Sequence, residues 1–179
     1  LVYPYGETPV TVDNTGAPLS LFYIRGDDDS FKVLAQSEGA IVRLTFEAVA
    51  GEDNGLSLSF GGDEATKTYA VASRNVLPYN GTNTQAIIIG QEGNWGYVFH
   101  DKNRINVYSL RNEPELIQET TIAGDGVAVT AVSALQGNIS LLVGDSTGHV
   151  SQWFLVRDPK SDVDRFSLQK IRTVKLSDG

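Results

Sequence analysis

One stretch of this chain matches a motif associated with covalent catalysis. Gly144-Asp-Ser-Thr-Gly148 has the Gly-x-Ser-x-Gly spacing that places a nucleophilic serine on a sharp turn between a strand and a helix. A strand-like run begins at His149, so the helix that this nucleophile requires is not predicted. A triad would also need a placed histidine, and His100 and His149, the only two in the chain, both lie beside predicted turns. We therefore predict a hairpin turn at this motif, no catalytic residue and no enzyme activity.

Two groups of carboxylates could attract a hard cation such as Ca²⁺. One is the run Asp27-Asp28-Asp29, and the other comprises Asp158, Asp162 and Asp164. Neither group has the spacing, the central glycine or the terminal glutamate of an EF-hand loop. The chain has no Cys, which excludes thiolate nucleophiles and thiolate zinc sites. We predict no metal and no cofactor.

The overall charge of the chain restricts its partners. The net charge of −8 over 179 residues predicts a surface that repels nucleic-acid phosphates, so no nucleic-acid partner is expected. Hydrophobic residues make up 41% of the chain, which is typical of a globular protein and not of a disordered one. No run approaches the roughly 18 consecutive apolar residues of a membrane-spanning helix. Because the chain does not start with Met, we interpret it as a fragment of a longer protein.

Four aspartates recur in one pattern. Each follows a strand-like run that ends in Gly or His, and each precedes a short polar turn and another strand-like run. The residues are Asp27, Asp63, Asp101 and Asp145, at intervals of 36, 38 and 44 residues. Asp at the first position of a tight turn accepts a hydrogen bond from the backbone N–H two residues further on. We predict that all four are structural turn residues, and their near-regular spacing indicates a repeat architecture.

The strand-like runs between these turns predict the fold class. In the second half of the chain, two groups of four runs follow one another: 85–90, 95–100, 105–110 and 115–122, then 127–134, 139–144, 149–156 and 166–175. Four antiparallel strands in about 40–45 residues form one blade of a β-propeller. We predict an all-β protein whose antiparallel four-stranded meanders form a degenerate or partial β-propeller, with an irregular β-sandwich as the alternative. Residues 1–18 are predicted to be an extended lead-in, and 19–179 a single propeller-like domain of about four repeats.

Three aromatic residues on the predicted strands allow two interpretations. Trp95, Tyr108 and Trp153 lie on hairpin strands. Inner strands of a blade are covered on both faces, which favours core packing for large aromatic side chains. The alternative is that these three residues form an interaction rim, since Trp and Tyr are enriched at protein interfaces.

The last predicted hairpin resembles part of a WD-repeat blade. The run from Asp145 to Trp153 is similar to the hairpin and the Trp-bearing third strand of such blades. It departs from the family pattern in two ways: Phe154 stands where an Asp usually follows the Trp, and no Gly-His pair precedes the blade.

A second resemblance covers most of the chain. From Val12-Asp-Asn-Thr-Gly-Ala-Pro-Leu19 through the hairpin that bears Trp153, the sequence resembles the extracytoplasmic insertion in long forms of the permease subunit of bacterial phosphate ABC transporters. The resemblance implies a non-catalytic accessory or interaction domain that contributes to phosphate transport or its regulation. It further implies a membrane-embedded parent chain in the bacterial inner membrane, with this part on the periplasmic side.

The partners that this resemblance implies are the phosphate-binding protein or other subunits of the transporter. The alternative function is a soluble, propeller-like protein-interaction scaffold in the bacterial envelope. Under either hypothesis an incomplete propeller exposes unpaired sheet edges, and we therefore expect edge-strand self-association.

Overall fold

The computed structural model describes residues 20–24, 29–37, 39–49, 56–58, 67–135, 139–159 and 165–176. Regular structure in these ranges is β, apart from a single 3-10 turn at Gln91–Gly93. None of the described residues forms a helix with the length and hydropathy needed to cross a membrane. The strands are β1 Ser20–Ile24, β2 Ser30–Ser37, β3 Ala40–Val49, β4 Leu56–Leu58, β5 Lys67–Val76, β6 Thr84–Ile89, β7 Trp95–His100, β8 Arg104–Ser109, β9 Glu115–Thr121, β10 Val129–Ala134, β11 Ser140–Asp145, β12 His149–Arg157 and β13 Phe166–Lys175.

The chain divides into two compact units, Leu1–Leu77 and Pro78–Gly179, and each is described by itself. The extended lead-in predicted for 1–18 lies outside the described residues. The prediction of a single domain over 19–179 stays a prediction.

The first unit contains one antiparallel sheet with the strand order β1-β2-β3-β5-β4. The side chains of one apolar cluster alternate along the strands with those of the opposite face. The opposite face is covered as well, since Leu34 and Ile41 are both 0% exposed there. Phe31 of β2 stacks on Phe46 of β3 at a ring-centroid distance of 4.8 Å, and Tyr69 of β5 packs edge-on against Phe31 at 5.2 Å. Arg43 points to the other face, where its Nη2 donates to Asn75 Oδ1 at 3.1 Å.

The strand β5 extends further than a simple hairpin with the strand before it would allow. β5 pairs with the short strand β4 on one side and with the long strand β3 on the other. Because β3 continues beyond the end of β4, β5 keeps a partner up to Val76, which pairs with Val42. The extra length of β5 therefore comes from a pairing across 34 residues of sequence, which local composition does not reveal.

The second unit consists of two four-stranded antiparallel sheets, in the orders β6-β7-β8-β9 and β10-β11-β12-β13. Each is an up-and-down meander in which sequential strands are neighbours, and this is the arrangement found in propeller blades. The predicted all-β class with antiparallel four-stranded meanders is confirmed. The observed strand bounds agree with the predicted runs to within two residues, and β13 coincides with the predicted run 166–175.

The core of the second unit lies between its two meanders. The alternate apolar side chains of β7 and β8 face those of β11 and β12, so one contiguous cluster joins both sheets. Its buried members are Trp95, Tyr97, Phe99, Ile105, Val107, Ile122, Val129, Leu141, Val143, Trp153 and Leu168. A backbone bond from Val129 N to Lys102 O, 2.7 Å long, also ties the start of β10 to the β7–β8 turn.

Candidate functional site

Two of the four predicted aspartates lie at equivalent corners of the second unit. Asp101 stands in the β7–β8 turn and Asp145 at the end of β11, so each marks the turn between the second and third strands of its meander. Asp27 and Asp63 lie outside the described residues. The two corners use their carboxylates differently, and this difference determines what each can do.

The carboxylate of Asp145 closes its own hairpin. Its Oδ1 accepts hydrogen bonds from Thr147 N at 2.9 Å, from Thr147 Oγ1 at 2.6 Å and from His149 N at 3.3 Å. The first of these is the bond from two residues further on that the turn chemistry of Asp predicts. The bonds from Thr147 lower the pKa of Asp145, because they favour the ionised carboxylate.

The carboxylate of Asp101 turns away from its own hairpin. Its Oδ1 accepts from Thr82 N at 3.1 Å, from Thr82 Oγ1 at 2.8 Å and from Asn83 N at 3.1 Å, all in the loop before β6. Asp101 N also donates to Asn83 O at 3.0 Å, which fixes the two segments together. The local bond predicted for this aspartate is thus replaced by bonds to a segment about twenty residues earlier. The reason lies in the backbone: Asp101 and Lys102 both have left-handed φ values, 48° and 73°, and form the turn without the side chain.

Behind Asp101 a chain of polar groups runs into the protein interior. Asp101 Oδ2 lies 2.9 Å from His100 Nδ1, and His100 Nε2 lies 3.0 Å from Asn106 Oδ1. Asn106 Nδ2 then donates to Tyr108 Oη at 3.1 Å, and the Tyr108 hydroxyl donates to Pro78 O at 3.0 Å. We call this chain of hydrogen-bonded groups the relay. His100, Asn106 and Tyr108 are each at most 1% exposed, so the bonds within the relay replace the hydrogen bonds to water that these groups lose on folding.

The direction of these bonds assigns the protons of the relay. Pro78 O can only accept, so the Tyr108 hydroxyl must donate to it and can accept only from Asn106. The Asn106 amide is thereby oriented with its oxygen towards His100 Nε2, which must carry a proton. His100 Nδ1 faces a carboxylate oxygen of Asp101, so both ring nitrogens of this side chain have a polar partner.

The relay also explains the electrostatics of the corner. The bond from His100 is the largest contribution that lowers the pKa of Asp101, to about 2, and the bonds from Thr82 and Asn83 act in the same direction. Burial raises the pKa of the Tyr108 hydroxyl, although its bond from Asn106 opposes this shift. All these groups are engaged with one another, so the relay holds this corner of the second unit to the loop before β6.

The Gly-x-Ser-x-Gly motif forms the β11–β12 turn, as predicted. Gly148 has a φ of 79°, the left-handed conformation that favours glycine, and β12 follows directly. The hydrogen bonds of Ser146 join it to Ala128: its Oγ accepts from Ala128 N at 3.1 Å and its N donates to Ala128 O at 2.8 Å. His149 Nδ1 instead contacts Thr147 Oγ1 at 2.8 Å. Ser146 therefore connects the β11–β12 turn to the loop before β10 through two hydrogen bonds.

The three aromatic residues considered for an interaction rim are buried. Trp95 is 6% exposed, Tyr108 is 0% and Trp153 is 8%. Trp95 packs against Phe166 at a ring-centroid distance of 4.7 Å, and Trp153 Nε1 donates to Ser151 Oγ at 2.8 Å. The rim interpretation is therefore corrected. The core between the two meanders covers Trp95 and Trp153, and Tyr108 is buried on the opposite face of its sheet, where its hydroxyl donates to Pro78 O.

The carboxylate groups considered for calcium are mostly beyond the described residues. Of the six, the structure describes Asp29 and Asp158 only. Within the described part of the chain, no three or more His, Cys, Asp or Glu side chains form a group that could hold a metal ion.

One surface was not predicted from the sequence. We call it the basic edge, and it consists of residues 165–176, which are β13 and its two flanking residues. Every residue from 169 to 176 is exposed, and the exposed fractions of Ile171, Val174 and Leu176 are 57%, 49% and 72%. The segment contains four Lys or Arg residues and no Asp or Glu, in a chain whose net charge is −8. This local reversal of charge was the signal in the sequence that could have identified the surface.

Comparisons with known proteins give a distant likeness in fold. No family model matches the chain, and no curated protein matches it. Among solved structures, the chain is similar to the β-propeller domain of Cps50 (Swd1) from Myceliophteria thermophila, with a TM-score of 0.44 and 16% sequence identity. The similarity covers 80% of this chain and 54% of the other, so the chain spans about half the length of that structure. None of these three comparisons supports the resemblance to phosphate transporters.

Proposed function

We propose that this chain is a non-catalytic interaction module that uses an exposed sheet edge to bind a partner protein. The observation that carries this proposal is the basic edge, where three large apolar side chains stand between basic ones on the outermost strand of a meander. Monomeric proteins seldom leave such side chains grouped at a strand edge, because edges of this kind template association. The engagement of Asp101, His100 and Asp145 in structural hydrogen bonds agrees with a scaffold role.

We further propose that the module is the periplasmic accessory domain of a phosphate ABC transporter permease. The support for this setting is the resemblance over residues 12–153. Its partners would be the phosphate-binding protein or other transporter subunits, and the parent chain would be embedded in the inner membrane. With a net charge of −8 the chain is a poor phosphate receptor, so we assign it to docking and regulation and not to binding the anion.

The test uses the complete parent protein in its bacterial host. Residues 1–179 are replaced by a short Gly/Ser linker, and phosphate uptake and a phosphate-starvation reporter are measured beside the unmodified strain. We expect uptake or its regulation to change severalfold while the permease still assembles with its partner subunits. Unchanged uptake together with an unchanged reporter would rule out the transporter role.

The alternative function, a soluble propeller-like scaffold in the bacterial envelope, is separated by fractionation of the same host. A parent protein found in the membrane fraction and co-purifying with transporter subunits supports the transporter role. A parent protein found in the soluble periplasmic fraction, bound to envelope proteins of another kind, supports the scaffold role.

A further inference from the structure

The backbone of β13 is the starting point for identifying what the basic edge binds. Among the strands that the structure describes, β13 pairs with β12 alone, so it is the outermost strand of its sheet. In an antiparallel pair, every second residue turns its N–H and C=O groups away from the neighbouring strand. An edge strand therefore presents donors and acceptors at the spacing of a further strand.

The first part of this edge is already occupied by a side chain. The Gln118 carboxamide on β9 accepts from Leu168 N at 2.6 Å and donates to Leu168 O at 3.4 Å. One amide thus satisfies both outward groups of Leu168, as the peptide group of an adjoining strand would.

Beyond a β-bulge, the rest of β13 again alternates peptide groups that face β12 with peptide groups that face outward. The pairing of β12 with β13 shifts register between Gln152 and Trp153, which leaves Ile171 as the additional residue. Leu176 N donates inward to Gly148 O at 2.9 Å, so the alternation turns the peptide groups of Thr173 outward. The outward groups from Lys170 onwards lie in the exposed part of β13, beyond the segment that Gln118 covers.

The charges along this stretch identify the kind of partner. Lys170, Arg172 and Lys175 bring three positive charges to the edge. Two of them are held in place: Lys170 Nζ lies 5.8 Å from the centre of the Trp153 ring, and Arg172 Nε donates to Gln152 Oε1 at 2.7 Å. Two copies of this edge would repel each other, because strands of like charge oppose pairing. An acidic strand would be attracted.

We propose that the edge of β13 from Lys170 to Leu176 binds an acidic, extended segment of a partner protein as an additional β-strand. Main-chain bonds to the outward groups supply affinity in this mode of recognition, and alternate side chains supply specificity. The register with β12 places Lys170 on one face of the sheet and Val174 and Leu176 on the other. Acidic residues of the partner therefore pair with Lys170 on the first face, and its apolar residues cover Val174 and Leu176 on the second. This inference rests on the proposed interaction function and specifies its partner.

The test uses the full 179-residue chain and a synthetic peptide in which glutamate alternates with valine. A matched peptide with lysine in place of glutamate is the control. Binding is measured by isothermal titration calorimetry, and the protection of backbone amides by hydrogen exchange. We expect the acidic peptide alone to bind, to weaken as salt is added, and to protect amides between Lys170 and Lys175.

Two variants separate the backbone contribution from the charge contribution. Thr173→Pro removes an outward N–H and leaves the inward ladder intact, since proline is tolerated at such positions of edge strands; Thr173→Val is its control. The double variant Lys170→Glu, Arg172→Glu reverses the charge. We expect each to weaken peptide binding about tenfold or more.

Three results would overturn the proposal. They are equal binding of the lysine peptide, wild-type affinity in Thr173→Pro, and protection confined to residues outside β13. Self-association of the wild-type chain that Thr173→Pro abolishes would instead assign the edge to a second copy. If the acidic peptide fails to bind while the parent protein still captures transporter subunits, the assignment of the edge is wrong and the interaction function stands.

Discussion

At the scale of single residues, the backbone conformation at each corner determines which groups the aspartate carboxylate binds. The sequence pattern predicted both corners, since Asp after a strand-like run is a strong turn signal. It could not predict the partners of Asp101, because the pairing of β6 with β7 brings Thr82 and Asn83 to it from a distant point in the chain. The buried relay through His100 was equally beyond prediction, since His100, Asn106 and Tyr108 lie on strands whose sequence resembles ordinary core.

The Asp101→Asn substitution tests the electrostatic role of this corner. The pKa of Asp101 is about 2 in the folded protein, below the ordinary value of 3.8. A lowered carboxyl pKa contributes stability that is fully present above the ordinary value and is lost as the pH falls towards the folded value. We expect the variant to be less stable by about 1–3 kcal/mol near neutral pH, because it leaves a buried donor on His100 without its charged acceptor. The difference from wild type should shrink between about pH 4 and pH 2.

Urea denaturation across this pH range measures the effect. Asp125→Asn, at an exposed position of the loop before β10, is the matched control and should stay near wild type at every pH. A difference between Asp101→Asn and wild type that is constant from neutral pH down to about pH 2 would contradict this account of the corner.

Tyr108→Phe tests the interior end of the relay. The change removes one hydroxyl, which takes the acceptor from the buried Asn106 Nδ2 and the donor from Pro78 O. We expect a loss of about 1–3 kcal/mol in the free energy of unfolding, because unsatisfied buried groups keep their desolvation cost. Tyr97→Phe is the control, since its ring is also buried and burial raises the pKa of Tyr97 to about 12, but it takes no part in the relay. Equal losses in the two variants would contradict the hydrogen-bond assignment.

At the scale of the elements, alternation and turn residues predicted the strands well, and long-range pairing explains the departures. β10 begins at Val129, two residues later than the predicted run, because the preceding loop is held by Ser146. The bulges in β10–β11 and β12–β13 had no signal in the sequence, since they depend on which residues the neighbouring strand offers.

Two glycines beside the β11–β12 turn should respond differently to alanine. Gly148 has a φ of 79°, and a side chain in this left-handed conformation costs about 1 kcal/mol or more. At Gly144, an added Cβ would lie 3.5 Å from Ala131 Cβ, an ordinary van der Waals contact. We therefore expect Gly148→Ala to lower the urea midpoint with an unchanged slope, and Gly144→Ala to have a smaller effect. The reverse order would show that the turn conformation is not what constrains position 148.

At the scale of the whole molecule, the second unit carries a complete core of its own. The two Trp residues of the chain, Trp95 and Trp153, both belong to that core, so tryptophan fluorescence reports on this unit alone. The sequence did not identify a boundary near residue 77, because Pro78 and Asn80-Gly81 indicate a loop there but do not distinguish it from the other loops of the chain. Such a boundary becomes visible only once the pairing partners of β5 and β6 are known.

A fragment of residues 78–179 tests the independence of this unit. We expect a cooperative thermal transition detected by fluorescence, with a midpoint within about 5 °C of that of the full chain. The full chain is the reference, and its circular dichroism follows the first unit as well. A fragment with the red-shifted emission of exposed tryptophan would show that the core between the two meanders cannot form without residues 1–77.

The long reach of Asp101 also has a consequence for sequence evolution. Its carboxylate holds Thr82, 19 positions earlier, through both backbone and hydroxyl, whereas Asp145 holds Thr147 only two positions away. Substitution at position 101 therefore removes the reason for a hydroxyl at position 82. Among homologous sequences, positions 82 and 101 should covary although they lie far apart in the chain. Positions 145 and 147 should also change together, as a pair of near neighbours.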